Sequence, residues 1–328
     1  MTVTIKDVAR LAGVSPSSVC RALADPGQVR PGTRERVLAA ARELAYSPNR
    51  AARSLSTGRT GNIGVVLPDM ANPVFPGIVK AVQTQARKAD HAVFLSDVEE
   101  DPALEVHMIR TLAKQVDGFL LCSPRSSDGH LRSFADQTPI VVLNRRVGRV
   151  PSVTADNADG MLQAVTHLHA LGHRRLAYVA GPRTSWSNRE RTRSLRQAAA
   201  SFGIELVETG HVPPELEGGV AIADVVVASG ATAAVTYNDL IALGMLNRLH
   251  ARGIGVPGEM SVVGFDGILM SGLVSPALTT VAVPMEQLGR VGVDLLLELL
   301  AGRRTGSIRR VLPTRLLVRA STGPAPHR

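Results

Sequence analysis

From residue 62 onward, short apolar runs alternate with longer segments of helical periodicity, and this alternation constrains the fold more than any other feature. The runs, rich in Val, Ile and Leu, have the length and composition of buried strands. They lie at 63–67, 92–95, 118–121 and 140–143 and, in a second series, near 176–180, 233–237 and 261–264. Helical patterns lie between them, for example at 75–89 and 102–115. Strands that alternate with helices predict an α/β fold of parallel sheets, in which ligands bind at the carboxyl ends of strands.

The first 46 residues show a different pattern, which predicts two short helices followed by a third near residue 33. Thr4 and Asp7 form a capping-box pattern at the start of the first helix. Gly13 stands where that helix would end in a left-handed residue. Ser15 and Pro16 start the second helix, because serine caps free N–H groups and proline lacks one at the first helical position. Two short helices joined by a tight glycine-containing turn are typical of a helix-turn-helix.

Basic charge is concentrated at this end of the chain. Residues 1–60 contain ten basic and four acidic side chains, which gives the segment +6 of the net charge of +9 of the whole chain. Such a local excess is typical of polyanion binding. Ser17 and Arg21 share the exposed face of the second helix, and arginine can pair bidentately with guanine in the major groove. The alternative is an ordinary three-helix bundle with a solvated basic surface, and the charge excess favours DNA reading.

A further short helix is expected after Tyr46, where Ser47 and Pro48 form another start signal. Gly58 and Gly61 follow after barely two turns. A helix this short is not stable alone in water. The segment is therefore either a linker or a region that folds when a partner binds it.

Several strings in the first 55 residues occur in a recognisable order. They are Thr4-Ile5-Lys6-Asp7-Val8-Ala9, Ala12-Gly13-Val14-Ser15, Thr33-Arg34-Glu35-Arg36-Val37 and residues 46–55. Together they resemble the head and hinge of the lactose/galactose repressor (LacI–GalR) family of transcriptional regulators. In such proteins the hinge helix folds on operator DNA and inserts a leucine into the minor groove, a role that the resemblance assigns to Leu55. Apolar wedges of this kind unstack a base step and bend the duplex. The alternative for Leu55 is a place in an apolar core.

The resemblance implies DNA contacts from the head and from the hinge. The residues are Thr4, Ser15, Pro16, Ser17, Ser18, Arg21, Asn49, Ala52 and Leu55. Cys20 stands where the family usually has serine. Pro16 and Ser17 occupy the positions that set operator preference, and neither supplies a strong base-reading group. We therefore expect specificity to depend on Arg21 and on DNA shape.

The resemblance continues through nearly the whole chain, in strings that include Asn72-Pro73-Val74-Phe75, Asp156-Asn157, Gly181-Pro182, Arg189-Glu190-Arg191, Asn238-Asp239, Val262-Val263-Gly264-Phe265-Asp266 and Leu312-Pro313-Thr314-Arg315-Leu316. It implies an α/β fold with an N-terminal helix-turn-helix head and a hinge helix, followed by a two-subdomain periplasmic-binding-protein-like core with parallel sheets. The implied domains are a head at 1–46, a hinge helix and linker at 47–61, and an effector-binding and dimerisation core at 62–328. Within the core, subdomain one is expected at about 62–158 plus 286–310, and subdomain two at about 159–285 plus 311–322.

Between the two subdomains the resemblance implies a site for a small-molecule effector. The residues carried over to it are Asn72, Phe75, Ser185, Trp186, Arg191, Asn238 and Asp266. They suit a sugar or a related polyol, because arginine donates, a carboxylate accepts from hydroxyls, an amide does both and an aromatic ring offers an apolar face. Asp266 can instead be a capping or structural carboxylate, and Trp186 can simply cover the cleft. After Arg191 the family usually continues with glycine and an aromatic residue, whereas this chain has Ser194 and Leu195, so the local packing differs.

Motifs that suggest other chemistry lack the required context. The glycines at 253–258 fit the spacing of a dinucleotide fingerprint, but a helix precedes them and a strand follows, which is the reverse of the required order. His167, His169 and His173 have no glutamate to complete a zinc motif, so we expect them to be structural. The sequence contains no P-loop, nucleophile elbow or pair of catalytic carboxylates. These observations predict neither an enzyme nor a bound cofactor or metal.

Composition and termini narrow the location. No apolar run approaches the ~20 residues that span a bilayer. Cys20 and Cys122 form no C-x-x-C pair, and the first residues lack the basic and apolar regions of an export signal. We therefore expect a cytoplasmic protein with no membrane partner.

The sequence as a whole predicts a transcriptional regulator whose partners are double-stranded operator DNA, a sugar-like effector and a second copy of the chain. A transport-associated sugar-binding protein would need an export signal and no head, and a sugar-processing enzyme has no support beyond the cleft. The sequence leaves open whether the regulator represses or activates, although repression is the commoner role in the family. The glycine and prolines after residue 322 cannot form a C-terminal helix that joins dimers. We therefore expect a homodimer, with the helices at 75–89 and 102–115 as candidate interfaces.

Overall fold

The computed structural model describes residues 3–24, 29–46, 58–303 and 307–326. The chain divides into two compact units, residues 1–61 and 62–328. The first unit contains the predicted head. The helices described in it are Ile5–Ala12, Pro16–Ala24 and Pro31–Glu43. Their apolar faces meet in one small core around Val8, Val19 and Val37. The predicted helix-turn-helix and its third helix are therefore present.

The second unit, the core, contains two six-stranded sheets. The strands of the first sheet are β1 Asn62–Leu67, β2 Ala92–Asp97, β3 Gly118–Cys122, β4 Ile140–Leu143, β5 Ser152–Ala155 and β11 Arg309–Leu312. They lie in the order β11-β5-β4-β3-β1-β2, and every neighbouring pair is parallel. Parallel pairing requires long connections, and helices supply most of them.

The second sheet has the same size and a related topology. Its strands are β6 Arg175–Ala180, β7 Glu205–His211, β8 Ala233–Thr236, β9 Ser261–Asp266, β10 Thr279–Ala282 and β12 Arg315–Leu317. The order is β12-β10-β9-β8-β6-β7, and β10 with β12 is the antiparallel pair. The predicted α/β fold with parallel sheets in two subdomains is confirmed.

Helices cover the two sheets and define two lobes. Those of the first lobe are Val74–Lys88, Pro102–Leu112, Asp128–Ala135 and Met285–Leu300. Those of the second lobe are Asn157–Ala170, Trp186–Ser201, Leu216–Ala228 and Asp239–Ala251, with a 3₁₀ turn at Leu269–Gly272. No helix in the described part of the chain is long and apolar enough to cross a membrane.

The chain crosses between the lobes three times, after β5, after β10 and after β11. The first and third crossings lie side by side, because Asp156 N donates to Leu312 O at 2.9 Å and Thr314 Oγ1 donates to Asp156 O at 3.0 Å. Gly160 packs against the same place, since a Cβ there would lie 2.7 Å from Val281 and 2.9 Å from Thr314. The three crossings therefore form one junction, and any change in the angle between the lobes must pass through it.

The predicted strands are all present, and five further strands were missed. Four of these, β5, β10, β11 and β12, are three or four residues long and contain Ser, Thr or Arg. Such residues interrupt the apolar run by which a buried strand is recognised. The fifth, β7, is a half-exposed edge strand with two glutamates. The glycines at 253–258 lie between a helix and β9, as their order predicts.

Candidate functional sites in the head and the core

The helix Pro16–Ala24 presents the side chains that are predicted to read DNA. Ser15 caps it, because its hydroxyl accepts the Ser18 N–H at 3.2 Å and lies within 2.9 Å of the hydroxyls of Ser17 and Ser18. The first residue of the helix, Ser17 and Arg21 are exposed. Arg21 Nε donates to Ser17 O at 3.4 Å, so the arginine runs back along the exposed face of its own helix. This face is polar and carries one positive charge.

Local features fix both ends of the helix that precedes this one. Gly13 ends the first helix with φ 65°, and Val14 N donates back to Ala9 O at 3.0 Å. At the other end, the Asp7 carboxylate accepts from the Thr4 hydroxyl at 2.7 Å and from Thr4 N at 3.0 Å. The hydroxyl first, and then the backbone N–H, lower the pKa of Asp7. The negative charge is thus held at the positive end of the first helix.

The nine predicted DNA-contacting residues divide into two sets. Thr4, Ser15, Pro16, Ser17, Ser18 and Arg21 belong to the helix-turn-helix and lie at or near its surface. Asn49, Ala52 and Leu55 lie outside the described residues, as does the predicted hinge helix. The wedge role of Leu55 stays a prediction.

In the core, Arg191 lies at the junction of the lobes. Its side chain is buried, and its Nε donates to Asn157 Oδ1 at 2.9 Å, just after the first crossing. Nη1 donates to Tyr237 O at 2.5 Å, and Nη2 donates to Asp266 Oδ1 at 3.4 Å. The guanidinium carbon lies 3.6 Å from the centroid of the Phe265 ring. One arginine thus links the first crossing to the carboxyl ends of β8 and β9.

Two carboxylates are buried close to this arginine. Burial raises the pKa of Asp266 to about 6, although the charge of Arg191 opposes the shift. Asp239 accepts two backbone N–H groups at 2.9 Å and the Thr280 hydroxyl at 2.5 Å. Burial, and then the charge of Asp266, raise the pKa of Asp239 to about 7 against these hydrogen bonds. Asp239 is held in place by the protein, whereas Asp266 ends β9 with φ 126°, a strained conformation for a residue with a side chain.

Two other predicted effector residues serve as helix caps. Ser185 Oγ accepts the N–H three residues further on at 3.2 Å and lies 3.1 Å from the Tyr237 hydroxyl. Asn238 Oδ1 accepts Ile241 N at 3.0 Å, while its Nδ2 donates to Pro214 O at 2.9 Å. Both residues are almost completely buried. Their effector role stays a prediction, and these hydrogen bonds show that each has a structural task already.

Asn72 and Phe75 lie in the first lobe, after β1. Asn72 Oδ1 accepts Val74 N at 3.1 Å, at the first residue of the helix that contains Phe75. Phe75 is buried in the main apolar core. An aromatic face for the effector would therefore require part of this ring to be uncovered.

Two contacts join the lobes away from the crossings, and both involve the start of the helix Trp186–Ser201. Ser187 Oγ donates to Asn144 O at 3.0 Å, at the carboxyl end of β4. The guanidinium carbon of Arg146 lies 5.8 Å from the centroid of the Trp186 ring. Trp186 is half-buried, and its contact with an effector stays a prediction.

The first lobe adds a buried arginine network that the sequence analysis missed. Arg125 follows β3 and pairs with Glu100 through Nε at 2.5 Å and Nη2 at 2.8 Å. Arg145 follows β4 and pairs with Asp128 at 2.6 Å. The residues that were missed in this part of the first lobe are Arg125, Asn144, Arg145 and Arg146. All of them follow the carboxyl end of a parallel strand, and that position was the signal that could have identified them.

Hydrogen bonds within the second lobe hold His173, one of the three histidines expected to be structural. His173 Nδ1 lies 2.8 Å from Thr232 Oγ1, and its Nε2 lies 3.1 Å from both Ser261 Oγ and Gly323 O. Burial lowers the pKa of His173 and so favours the neutral ring. Within the described ranges, no group of three His, Cys, Asp or Glu side chains could hold a metal ion.

Comparison with known protein families gives two matches. Residues 4–49 match the model of bacterial regulatory proteins of the lacI family, and residues 165–322 match that of the periplasmic binding protein-like domain. Over 332 residues the chain is 32% identical to the HTH-type transcriptional repressor CytR of Escherichia coli (strain K12), with 98% of this chain and 97% of the relative covered.

Solved structures show the same similarity. The lac repressor dimer bound to operator and the anti-inducer ONPF matches with a TM-score of 0.87 and 30% identity over 98% of this chain and 100% of that one. The complex of the transcriptional regulator CelR with cellobiose matches with a TM-score of 0.73 and 32% identity, over 97% and 99% of the two chains.

Proposed function

The chain belongs to the lacI family of bacterial regulatory proteins, and from this premise we propose that it is a repressor controlled by a sugar-like molecule bound between its two lobes. Membership in this family makes it a DNA-binding transcriptional regulator and not an enzyme. Repression, the class of effector and the residues that bind it are parts of the proposal.

The proposed effector site is inferred mainly from the buried pair of Arg191 and Asp266. The two side chains lie at the carboxyl ends of strands, where parallel sheets bind their ligands. Their separation of 3.4 Å is longer than the roughly 2.7–2.9 Å of a tight charge-assisted hydrogen bond. Both groups therefore retain capacity for other partners, and a polyol supplies them, since each hydroxyl can accept from arginine and donate to a carboxylate.

The same pair explains how a ligand could act on the angle between the lobes. Arg191 holds Asn157 just after the first crossing, and the Asp266 carbonyl accepts from Val283 N at 3.0 Å at the second crossing. A ligand that repositions these side chains therefore acts on the junction directly. Differential binding to two lobe arrangements is what a ligand needs in order to shift their populations.

The similar CelR structure contains cellobiose, which supports a sugar as the effector. The proposed contacts are those carried over from the sequence: Asn72, Phe75, Ser185, Trp186, Arg191, Asn238 and Asp266. Among them Arg191 and Asp266 are expected to contribute most, because they combine charge with burial.

For DNA, we propose that the head at 1–46 and the hinge at 47–61 contact a near-palindromic operator as a homodimer, while residues 62–328 bind the effector. The lac repressor structure that matches this chain is a dimer on operator DNA, which supports this arrangement. Base reading is assigned to Arg21, positioning to the serines and Thr4, the minor-groove wedge to Leu55 with Ala52 beside it, and a phosphate contact to Asn49.

An operator-release assay tests the proposal. The full chain is bound to DNA from upstream of its own gene, and sugars are added while binding is followed by gel shift. One or more sugars should release wild-type protein, whereas Arg191→Ala should bind DNA and fail to respond. Losing hydrogen bonds to a charged group costs about 1.5–3 kcal/mol, which weakens ligand binding by tenfold or more.

The matched control is Arg189→Ala, because Arg189 is exposed on the same helix two residues away. It should respond as the wild type does. Full release of the Arg191→Ala variant by the same sugar, or a chain that binds no DNA at all, would show that the proposal is wrong.

A further inference from the structure

Arg146 differs from the other buried or half-buried arginines near the carboxyl ends of β3, β4 and β9, because its charge is not matched. Three others there form ion pairs, which are Arg125–Glu100, Arg145–Asp128 and Arg191–Asp266. No carboxylate in the described part of the chain forms such a pair with Arg146. The half-buried guanidinium therefore brings an uncompensated positive charge into the cleft.

One donor of Arg146 is also without an acceptor. Its Nε is shielded from solvent and has no hydrogen-bond partner in the described chain. Unpartnered buried donors are rare in native proteins, and a bound ion, water or ligand is a common reason for one. Arg146 thus lacks partners both for its charge and for one of its donors, and an anionic acceptor at the rest of its guanidinium would compensate the charge best.

The surroundings of Arg146 place this charge between the lobes. It lies two residues after Asn144, whose carbonyl accepts the hydrogen bond from Ser187 of the other lobe. Its guanidinium carbon lies 5.8 Å from the Trp186 ring centroid, close to the ~6 Å limit of a cation–π contact. So loose a contact leaves N–H groups of the guanidinium for another partner. The helix that begins at Trp186 adds the positive end of its dipole at the same place.

We propose that the effector of this protein carries an oxyanion, a phosphate or carboxylate group, which Arg146 binds through its two Nη groups. Arginine presents these two donors at the spacing of two oxyanion oxygens, and a neutral sugar would leave its charge unmatched. Trp186, beside Arg146, and Arg191 belong to the same helix. A monosaccharide that bears an acidic group would place its hydroxyls on Arg191 and its oxyanion on Arg146.

This inference rests on the proposed function, because it names the ligand class of the same cleft. The experiment uses the full chain and matched sets of probes, namely hexoses, their 6-phosphates and the corresponding sugar acids, at constant ionic strength. Binding is measured by calorimetry, and inorganic phosphate alone is added as a further probe in melting experiments. The variant is Arg146→Gln, and the matched control is Arg149→Gln, an exposed arginine of the same loop.

An acidic derivative should bind wild type more tightly than the neutral sugar does. That binding should weaken about tenfold or more in Arg146→Gln and stay unchanged in Arg149→Gln. Inorganic phosphate should raise the melting temperature of wild type more than that of Arg146→Gln. The set that binds best, phosphates or acids, identifies the oxyanion. Operator binding without effector should be the same in all three proteins, which checks that the variants fold.

Other results overturn the inference and separate it from the proposed function. A neutral sugar could bind wild type and Arg146→Gln with equal affinity, and bind both better than its acidic derivatives do. The protein would then be a sensor of neutral sugars, and the inference that its effector carries an oxyanion would be wrong. An equal effect of phosphate on wild type and Arg146→Gln would place phosphate elsewhere, for example on the basic head. If no member of any set binds or releases DNA, the proposed function fails together with the inference.

Discussion

Asp239 and Asp266 are acids placed where water does not reach, within one small region of the second lobe. Their pKa values are raised to about 7 and about 6, first by burial in both cases. The charge of Arg191 makes it easier to ionise Asp266, whereas the charge of Asp266 makes it harder to ionise Asp239. The region is thus most stable when one of the two acids carries a proton, a situation typical of interacting buried carboxylates.

This arrangement predicts a stability that depends on pH. Asp239 holds its proton more tightly in the folded chain than in the unfolded chain, so its protonation contributes to the free energy of unfolding. This contribution is fully present below the ordinary pKa of 3.8 and is lost as the pH rises through about 7. Asp239→Asn keeps an oxygen for the two backbone N–H groups and has no such proton. The melting temperature of Asp239→Asn relative to wild type should therefore rise between about pH 5 and pH 7.5. A difference that stays constant over this range would contradict the assignment.

Individual residues also show where sequence patterns stop being informative. Arg191 and Asp266 are brought together as the motifs suggest, from positions 75 residues apart. Asn238 comes from an equally specific motif, and Ser185 was assigned to the same site, yet both side chains cap helices. A motif records that a position needs a certain side chain, and it does not distinguish a ligand contact from a cap. Arg146 belongs to no motif, because its importance comes from the charges that surround it in three dimensions.

At the scale of elements, the helices Leu216–Ala228 and Asp239–Ala251 cross so closely that their backbones touch. A Cβ on Gly244 would lie 1.9 Å from the Leu216 carbonyl oxygen, and one on Gly219 would lie 2.0 Å from the Ile241 carbonyl oxygen. Glycine at both positions is therefore a requirement of the packing. The close crossing holds in place the start of the second helix, which carries Asn238 and Asp239.

Gly244→Ala should destabilise the core strongly, because the atoms that a methyl group meets belong to the backbone and cannot rotate away. We expect a loss of about 3 kcal/mol, the upper end of what overpacking typically costs. Gly258→Ala is the control, since a Cβ at that position meets no atom within 4 Å. It should change stability by no more than about 0.5 kcal/mol. Urea unfolding followed by circular dichroism measures both, and equal midpoints would show that the two helices can separate without cost.

The elements themselves were largely predictable. Long apolar runs gave the central strands correctly, because a strand buried on both faces needs an uninterrupted series of apolar side chains. The short strands β5, β10 and β11 are buried or paired through tertiary contacts, and their Ser, Thr and Arg residues obscure the pattern. The three crossings could not be located by periodicity, since they depend on which sheet each strand joins.

At the scale of the whole molecule, tight operator binding requires more than one head. A single helix-turn-helix reaches few base edges, and its affinity depends mainly on phosphate contacts that salt weakens. The charge excess of +6 in residues 1–60 supplies such contacts, and a second copy doubles them. The core must therefore supply a surface through which two chains associate.

The edge strand β2 is the best candidate for that surface. It ends the first sheet, and its residues Phe94 and Leu95 are 36% and 40% exposed. Edge strands are usually protected from pairing by charge, bulges or a covering element, so two exposed apolar side chains here indicate an interface. In the chain, β2 lies between the helices Val74–Lys88 and Pro102–Leu112, the regions from which the sequence analysis expects dimerisation.

Leu95→Lys should therefore convert the protein from a dimer to a monomer in sedimentation experiments at micromolar concentration. A charge on each copy would have to be buried against the other, which costs more than the apolar contact contributes. Operator affinity should fall by about 100-fold or more, because each head then binds with half of the phosphate contacts. Val318→Lys is the matched control, since Val318 is 59% exposed and lies in the second lobe just after β12. It should stay dimeric and bind operator as wild type does. Two results would exclude β2 as the interface: a wild-type monomer that binds operator tightly, and a Leu95→Lys variant that is still a dimer. Neither is compatible with two heads held together through this strand.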